Sequence, residues 1–456
     1  MIRAEVEVLA TARERLARAF ANLPETDATF DLARVREVLA TTADRLGDNF
    51  PYQHPLYVGQ MLKPPHPVAR LAYALAMELN PNNHALDGGR ASSAMEKEAV
   101  AALARMIGFE THLGHLTGGG TIANLEALWI ARELAGSGRV LASSEAHYTH
   151  ARMSALLGME FVPVDVDRSG GMDIGVLAAE IGQGRVACVI ATLGTTSQGA
   201  LDPLEAILPL ARAAGVRVHV DAAYGGYFKL AAAGNPARER AFAVMAEADS
   251  VVIDPHKHGL QPYGCGAIIF RDPAVGRVYR HDSPYTYFSS NELHLGEISL
   301  ECSRPGAAAV ALWATLELLP LEPGGEFAFG LTESLAAARE LYAWVEGSEA
   351  FIALASPMLD IVVFGARAER ASVASRRARA VFEAAAERNL HLALLQLPRA
   401  LAEPWWPALE WDAETVTVLR SCLMKPEHRV WLPRITALLE QAGAATNRNP
   451  TANPES

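Results

Sequence analysis

Between about Pro67 and Pro320, short β-rich runs alternate with helical stretches, and this alternation limits the fold more than any other feature of the chain. FVPVDV from Phe161, VACVIAT from Val186, VRVHVD from Val216 and SVVID from Ser250 are rich in β-branched residues and of strand length. LEAILPLARAAG, between two of them, has the spacing of a helix with one apolar face. Such an order predicts an α/β domain around a mostly parallel sheet. Ligands on these sheets bind beyond the carboxyl ends of the strands. Residues just past each strand are therefore the first candidates for chemistry.

The flanks read differently. Val6, Leu9, Leu16 and Phe20 lie among charges and predict a first helix over the opening 20 residues, and Leu32 to Leu46 predicts a second. HPLYVGQMLKPPHP, from His54 to Pro67, is too dense in proline for a regular helix and predicts a constrained loop. After Pro320, PLEPGGEFAFG predicts a junction, and LDIVVFG and TVTVLRSCLM predict strands of a smaller α/β segment. The polar end, GAATNRNPTANPES, predicts a frayed tail. The expected division is 1–66, an N-terminal helical segment; 67–320, a large domain; 321–445, a small domain; and 446–456, a tail.

Composition narrows the class. A chain of 456 residues exceeds one ordinary core. Half apolar and one-fifth charged, it has the make-up of a soluble globular protein. Its net charge of −12 comes without a basic stripe, which argues against a nucleic-acid partner. No uncharged apolar run reaches the roughly 18 residues of a membrane span. The charged N-terminus lacks the apolar region of a signal peptide. Cys188, Cys265, Cys302 and Cys422 show neither paired nor metal-ligand spacing, so reduced thiols, a cytoplasmic location and no metal site are expected.

Five motifs carry candidate chemistry. In DPHKHG, Lys257 follows a buried strand with a histidine on either side. Burial disfavours a charged amine, and a lowered pKa suits a Schiff-base lysine; a surface lysine in a turn is the plain alternative. In HVDAAYGG, Asp221 ends an apolar strand, where a carboxylate needs a partner such as a protonated ring nitrogen, unless it caps a helix. In HLTGGGTIANLEALW, Gly118, Gly119 and Gly120 precede Thr121 and a helix. Glycines let amides approach an anion, and a helix N-terminus favours a phosphate, although a simple loop has the same look. His147, in SSEAHYTHARM, and Thr195 and Thr196, in ATLGTTSQG, also follow strands; a structural histidine and ordinary turn chemistry are their bland readings.

The order Gly-rich turn, His, Gly-Thr-Thr, Asp, Lys resembles that of the group II pyridoxal-phosphate-dependent amino-acid decarboxylases, over about His54 to Arg420. GLQPYGCGAIIFRD and CSRPGAAAVALW look most like the archaeal-type tyrosine and aspartate decarboxylases. The resemblance implies the aspartate-aminotransferase fold (fold type I), a pyridoxal 5′-phosphate cofactor and a homodimer. It implies that Lys257 holds the cofactor, with His256 near the phosphate. Asp221 would pair with the pyridine nitrogen, and His147 and Ala223 would pack on the ring. Gly119, Gly120, Thr121 and Thr196 match cofactor contacts, and Arg420 resembles the arginine that holds the substrate carboxylate. Asp254 is placed near the phosphate; several aromatic-acid members have asparagine there, which leaves its own role open.

The implied reaction removes the carboxyl group of an L-amino acid as CO2, with tyrosine or another aromatic acid expected first and aspartate or glutamate next. Other cofactor chemistry on the same fold (an aminotransferase, another lyase or an aldehyde synthase) and an inactive homologue acting as a binding partner are the alternatives. Lys63 and Gln60, in the proline-rich loop, are expected at the substrate, with Lys63 pairing an acidic side chain. The segment from Tyr279 to Glu297 predicts a long loop that brings a tyrosine, Tyr287 ahead of Tyr285, to protonate Cα after CO2 leaves.

Overall fold

The computed structural model describes residues 2–24, 31–280 and 293–448. Seven strands form the larger sheet: β1 (Leu113–Thr117), β2 (Arg139–Ser143), β3 (Phe161–Val164), β4 (Val186–Thr192), β5 (Arg217–Asp221), β6 (Ser250–Ile253) and β7 (Gly266–Phe270). Their spatial order is β1-β7-β6-β5-β4-β2-β3. From β6 to β3 every pair is parallel, while β7 runs antiparallel to both β6 and β1. The carboxyl ends of six strands therefore share one edge. Every residue of β4 is buried, as expected of a central parallel strand covered on both faces. The four strand motifs all form; β1, with its histidine and glycine, and the short GAIIF of β7 lacked a strand signal of comparable length.

A second, antiparallel sheet has the order β10-β11-β9-β8. Its strands are β8 (Phe351–Ala353), β9 (Ile361–Ala366), β10 (Ala393–Pro398) and β11 (Thr415–Cys422). Side-chain alternation along β9 serves two cores: Ile361 and Val363 join the core of the large sheet, and Val362 and Phe364 join that of the small one. The helix Glu326–Glu346 bridges them along its length, Phe327 and Leu331 of its first half joining one core and Leu341 and Val345 of its second half the other. The junction expected over PLEPGGEFAFG is thus shorter than its sequence suggests, because helix already begins at Glu326.

The proline-rich loop is irregular, as its composition dictates, and it is tied down at both ends. The Val58 N–H donates to the His391 carbonyl, 2.9 Å, and the Cys422 N–H donates to the Val58 carbonyl, 2.7 Å. The His66 N–H donates to the Leu260 carbonyl at 2.9 Å. Upstream, the helix Ile2–Arg18 reaches the body through Glu5 to Arg70 and Arg13 to Glu78. The helix Leu32–Leu46 buries no residue of its own. Among the described residues, no helix is long and apolar enough to cross a membrane.

Candidate active site

The shared strand edge opens into a cavity of about 370 Å³. It is lined by Gly118 to Thr121 after β1, His147 after β2, Thr196 after β4, Asp221 and Ala223 at the end of β5, and Asp254, His256 and Lys257 after β6. Five separate strand ends thus contribute the candidate side chains to one space.

Asp221 is its most completely bonded group. Asp221 Oδ1 accepts the Ala223 N–H at 3.1 Å. Asp221 Oδ2 accepts from His150 Nε2 at 2.8 Å and from Asn124 Nδ2 at 3.2 Å. Asn124 Oδ1 accepts from His219 Nε2 at 2.8 Å, and the other ring nitrogen of His219 meets Ser250 Oγ at 2.9 Å. Burial alone would raise the Asp221 pKa, but the His150 hydrogen bond, the Lys257 charge and the Ala223 amide hold it well below the usual carboxylate range. Burial pushes His219 down to about 3, so that imidazole is neutral. A single fixed negative charge results, held by hydrogen-bond donors on both oxygens.

The opposite end is less satisfied. Lys257 Nζ lies 3.1 Å from Asp254 Oδ2, and His256 Nε2 lies 3.5 Å from the same oxygen. Asp254 Oδ1 and His256 Nδ1 are buried with no hydrogen-bond partner. Burial lowers the His256 pKa, with Asp254 opposing and Lys257 assisting the shift. Asp254 faces the first turn of the helix Gly120–Ala135, whose leading N–H groups have no partner within the helix. A Cβ on Gly120 would sit 2.9 Å from Asp254 Oδ2, and Gly119 has a φ of 148°, so glycine serves both the turn and the close approach.

His147 stands in the cavity wall as a half-buried ring. Its Nδ1 accepts the Thr149 N–H at 3.3 Å and lies 2.6 Å from Thr149 Oγ1. Burial lowers its pKa, against the pull of Asp221. The ring is therefore neutral near pH 7, with its proton on Nε2.

Residues 67–367 match the family described as the pyridoxal-dependent decarboxylase conserved domain, about two-thirds of the chain. The chain belongs to that family. It is 32% identical over 263 residues to a probable L-tyrosine/L-aspartate decarboxylase of Methanothrix thermoacetophila, covering 57% of this chain and 65% of that protein. It is 28% identical over 337 residues to an L-aspartate decarboxylase of Thermococcus kodakarensis, covering 73% of this chain and 85% of that one. The crystal structure of mouse CSAD has the same fold, with a TM-score of 0.78 at 21% identity over 94% of this chain and 91% of that one. Oryza sativa TDC, solved with PLP and tryptamine, gives a TM-score of 0.75 at 18% identity, covering 96% and 98%. The expected decarboxylase fold, of fold type I, is borne out.

The decarboxylase uses pyridoxal 5′-phosphate, and the cavity fits it. The volume lies within the range of small-molecule sites. A buried carboxylate with donors on both oxygens stands at one end. At the other, a lysine, a helix N-terminus and an unpartnered buried imidazole nitrogen stand together.

Three sequence expectations land elsewhere. Lys63 does not reach this cavity: it lines another, also of about 370 Å³, with Lys425 and His258, and its Nζ is 3.4 Å from the Met424 carbonyl. The proline loop turns there because Val58 is bonded to the second sheet. Gln60 is exposed and meets not the cavity but Arg420, whose Nη2 donates to Gln60 Oε1 at 3.2 Å. Arg420 itself is buried one residue behind the wall; its Nη1 donates to the Thr196 carbonyl at 3.0 Å and its Nε has no partner. Both ends of the loop expected over 279–297 are regular structure. Tyr279 is buried in the short helix Gly276–Tyr279 and donates to Glu126, and Glu297 lies in the 3₁₀ turn Leu295–Ile298. Tyr285 and Tyr287 lie outside the described residues.

Sequence reading missed His150 and Asn124. Asn124 was within view, on the first helical turn after the glycines. His150 gives no comparable signal, because its partner lies 71 residues away.

Proposed function

We propose that this decarboxylase removes the α-carboxyl group of L-aspartate, with L-tyrosine as the next substrate. The names of the relatives support this order, since the archaeal proteins compared with the chain are called decarboxylases of aspartate or of tyrosine and aspartate together. The aromatic preference expected from sequence has no such support. The observation that carries the reading is the convergence of Lys257, Asp221, His147 and the Gly119–Thr121 turn on one cavity.

Pyridoxal phosphate supplies the sink for the electrons of the breaking Cα–carboxylate bond. Lys257 is the amine that holds it, and its place beside Asp254 gives its proton a nearby acceptor. The first-turn amides of Gly120 and Thr121, with His256 and Thr196, take the phosphate. Asp221 offers a fixed negative charge to the protonated ring nitrogen, and neutral His147 and small Ala223 flank the ring. Arg420 is a buried cation with no carboxylate within ion-pair distance among the described residues. It takes the substrate carboxylate by turning from the Thr196 carbonyl and Gln60, both of which water or substrate can replace. Asp254 acts on Lys257 rather than on the phosphate, where a carboxylate would repel a dianion.

A second copy of the chain covers the exposed Val35, Val38 and Leu39 of the helix Leu32–Leu46, giving a homodimer. Light scattering tests this; a fully active monomer at dilution counts against it. The substrate test is release of labelled CO2 from the carboxyl-labelled common L-amino acids, with product analysis. Aspartate should lead; labelled CO2 from none of them would refute decarboxylation, and a leading aromatic acid would reverse the order.

A further inference from the structure

Among the described residues, His150 and Asn124 are hydrogen-bonded to Asp221 through their side chains and have no task in the proposed reaction. His150 lies in the first turn of the helix Thr149–Leu156 and is fully buried. Its Nε2 is 2.8 Å from Asp221 Oδ2, the shortest contact to that carboxylate. An ionised carboxylate only accepts, so Nε2 carries the hydrogen. His150 Nδ1 is buried without a partner. The geometry thus makes His150 a donor aimed at the oxygen that Asn124 also holds.

A carboxylate facing a pyridine nitrogen competes with it for one proton. In a buried site, where water does not level the difference, the proton goes to the stronger base. Each donor on Asp221 weakens it as a base. Asn124 is the longer contact and is itself tied to His219. His150 therefore supplies the larger part of that weakening.

We propose that His150 is a positioning residue that keeps the proton on the cofactor ring, by holding Asp221 Oδ2 and lowering its appetite for that proton. The proposal rests on the pairing of Asp221 with the ring nitrogen. No bond is made or broken by His150: one proton lies between Asp221 and the ring, and His150 sets its side. Without the donor the proton moves to Asp221, the ring becomes a neutral pyridine, and the electron sink weakens.

The test uses the full chain loaded with cofactor carrying heavy nitrogen in the ring, whose resonance separates pyridinium from pyridine. His150→Leu and His150→Met remove the donor; His150→Gln keeps an N–H near the same place. The wild type and His150→Gln should both show pyridinium. The two apolar variants should shift toward pyridine, with kcat falling about tenfold or more and KM within about twofold. A pyridinium signal in a folded apolar variant overturns the proposal, as does a pyridine signal in His150→Gln. Should both apolar variants fail to fold, His150→Phe, which keeps a ring and lacks the donor, is read at the same ring signal in their place. Asp221→Asn separates the two layers. If it leaves the ring signal unmoved, the pairing of Asp221 with the ring is wrong; if it moves the signal and the loss of His150 does not, only the role of His150 falls.

Discussion

Asp221 and Asp254 stand at the carboxyl ends of neighbouring strands, both almost fully buried, and they are held in opposite ways. Asp221 has donors on both oxygens and a chain of three further groups behind it. Asp254 shares one oxygen between Lys257 and His256 and leaves the other without a partner. A buried carboxylate with donors on both oxygens is held rigidly, and one with an oxygen left unpaired can rearrange at little cost. The first suits a charge that must not move during a reaction. The second suits a place where the partner of a lysine changes as cofactor and substrate exchange.

The largest effect should come from Lys257→Ala, which removes the group that Asp254 serves. Turnover should vanish while the circular-dichroism spectrum stays that of the wild type; CO2 release above background would break the contrast at its centre. Asp221→Ala should follow, with a loss of more than about tenfold in kcat, over about 1.4 kcal/mol of barrier, and weaker cofactor binding. A variant keeping more than a tenth of kcat would show that the rigid end is only scaffolding.

Acid stability probes the support behind Asp221. His219 and His428 are both pushed down to about 3 by burial, so unfolding takes up their protons below about pH 6.5. Asp202 has the opposite sign: burial pushes it up to about 7, so the folded state holds a proton that the unfolded state lacks down to about pH 4. From these three groups alone, two protons against one give a loss of about 1.4 kcal/mol of stability per unit as pH falls from about 6.5 to 4, and the lowered pKa values of His147, His256 and His258 add to it. His219→Gln should flatten the slope in the upper window. An unchanged slope in urea denaturation would contradict the neutral state of that ring.

Asp254→Asn sharpens the comparison from the other side. Removing the charge beside the phosphate end should tighten cofactor binding a few-fold, by fluorescence titration of the apoprotein, where Asp221→Asn should weaken it. Equal signs would mean that the two carboxylates are not doing different things. The smallest effect is expected at Lys63, outside this site. Burial pushes it down to about 8, so its charge is a cost to the folded state that disappears only as pH rises from about 8 toward 10.5. Lys63→Met should raise the melting temperature at pH 7 and leave the aspartate-to-tyrosine activity ratio within about twofold. A larger change in that ratio would bring Lys63 back to the substrate.

The comparison also marks what the sequence could reveal. Lys257, Asp221, His147 and the glycine turn were legible because each follows a strand, and the sheet brings strand ends together whatever lies between. The distinction between the two carboxylates was not. It depends on His150, Asn124 and His219, whose contacts span 71 to 97 residues and have no local pattern. Lys63 was misplaced for a related reason: proline density announces a loop but not which way it turns. The start of the helix at Glu326 was hidden by the Pro-Gly-Gly run just before it.

The bonds of Val58 bear on where the molecule can be cut. The family resemblance in its strict form begins at residue 67, and a fragment starting there would carry every residue of the cavity. It would nevertheless strip the partners from His391 and Cys422, empty the place of a fully buried valine, and free the Leu260 carbonyl three residues past Lys257. A fragment beginning near residue 51 would keep all three. The smallest self-sufficient piece of this chain is thus longer than its recognisable piece, and the difference is a strap of about sixteen residues (about 3.3 Å each when extended) that belongs to the second sheet by contact and to the first by sequence.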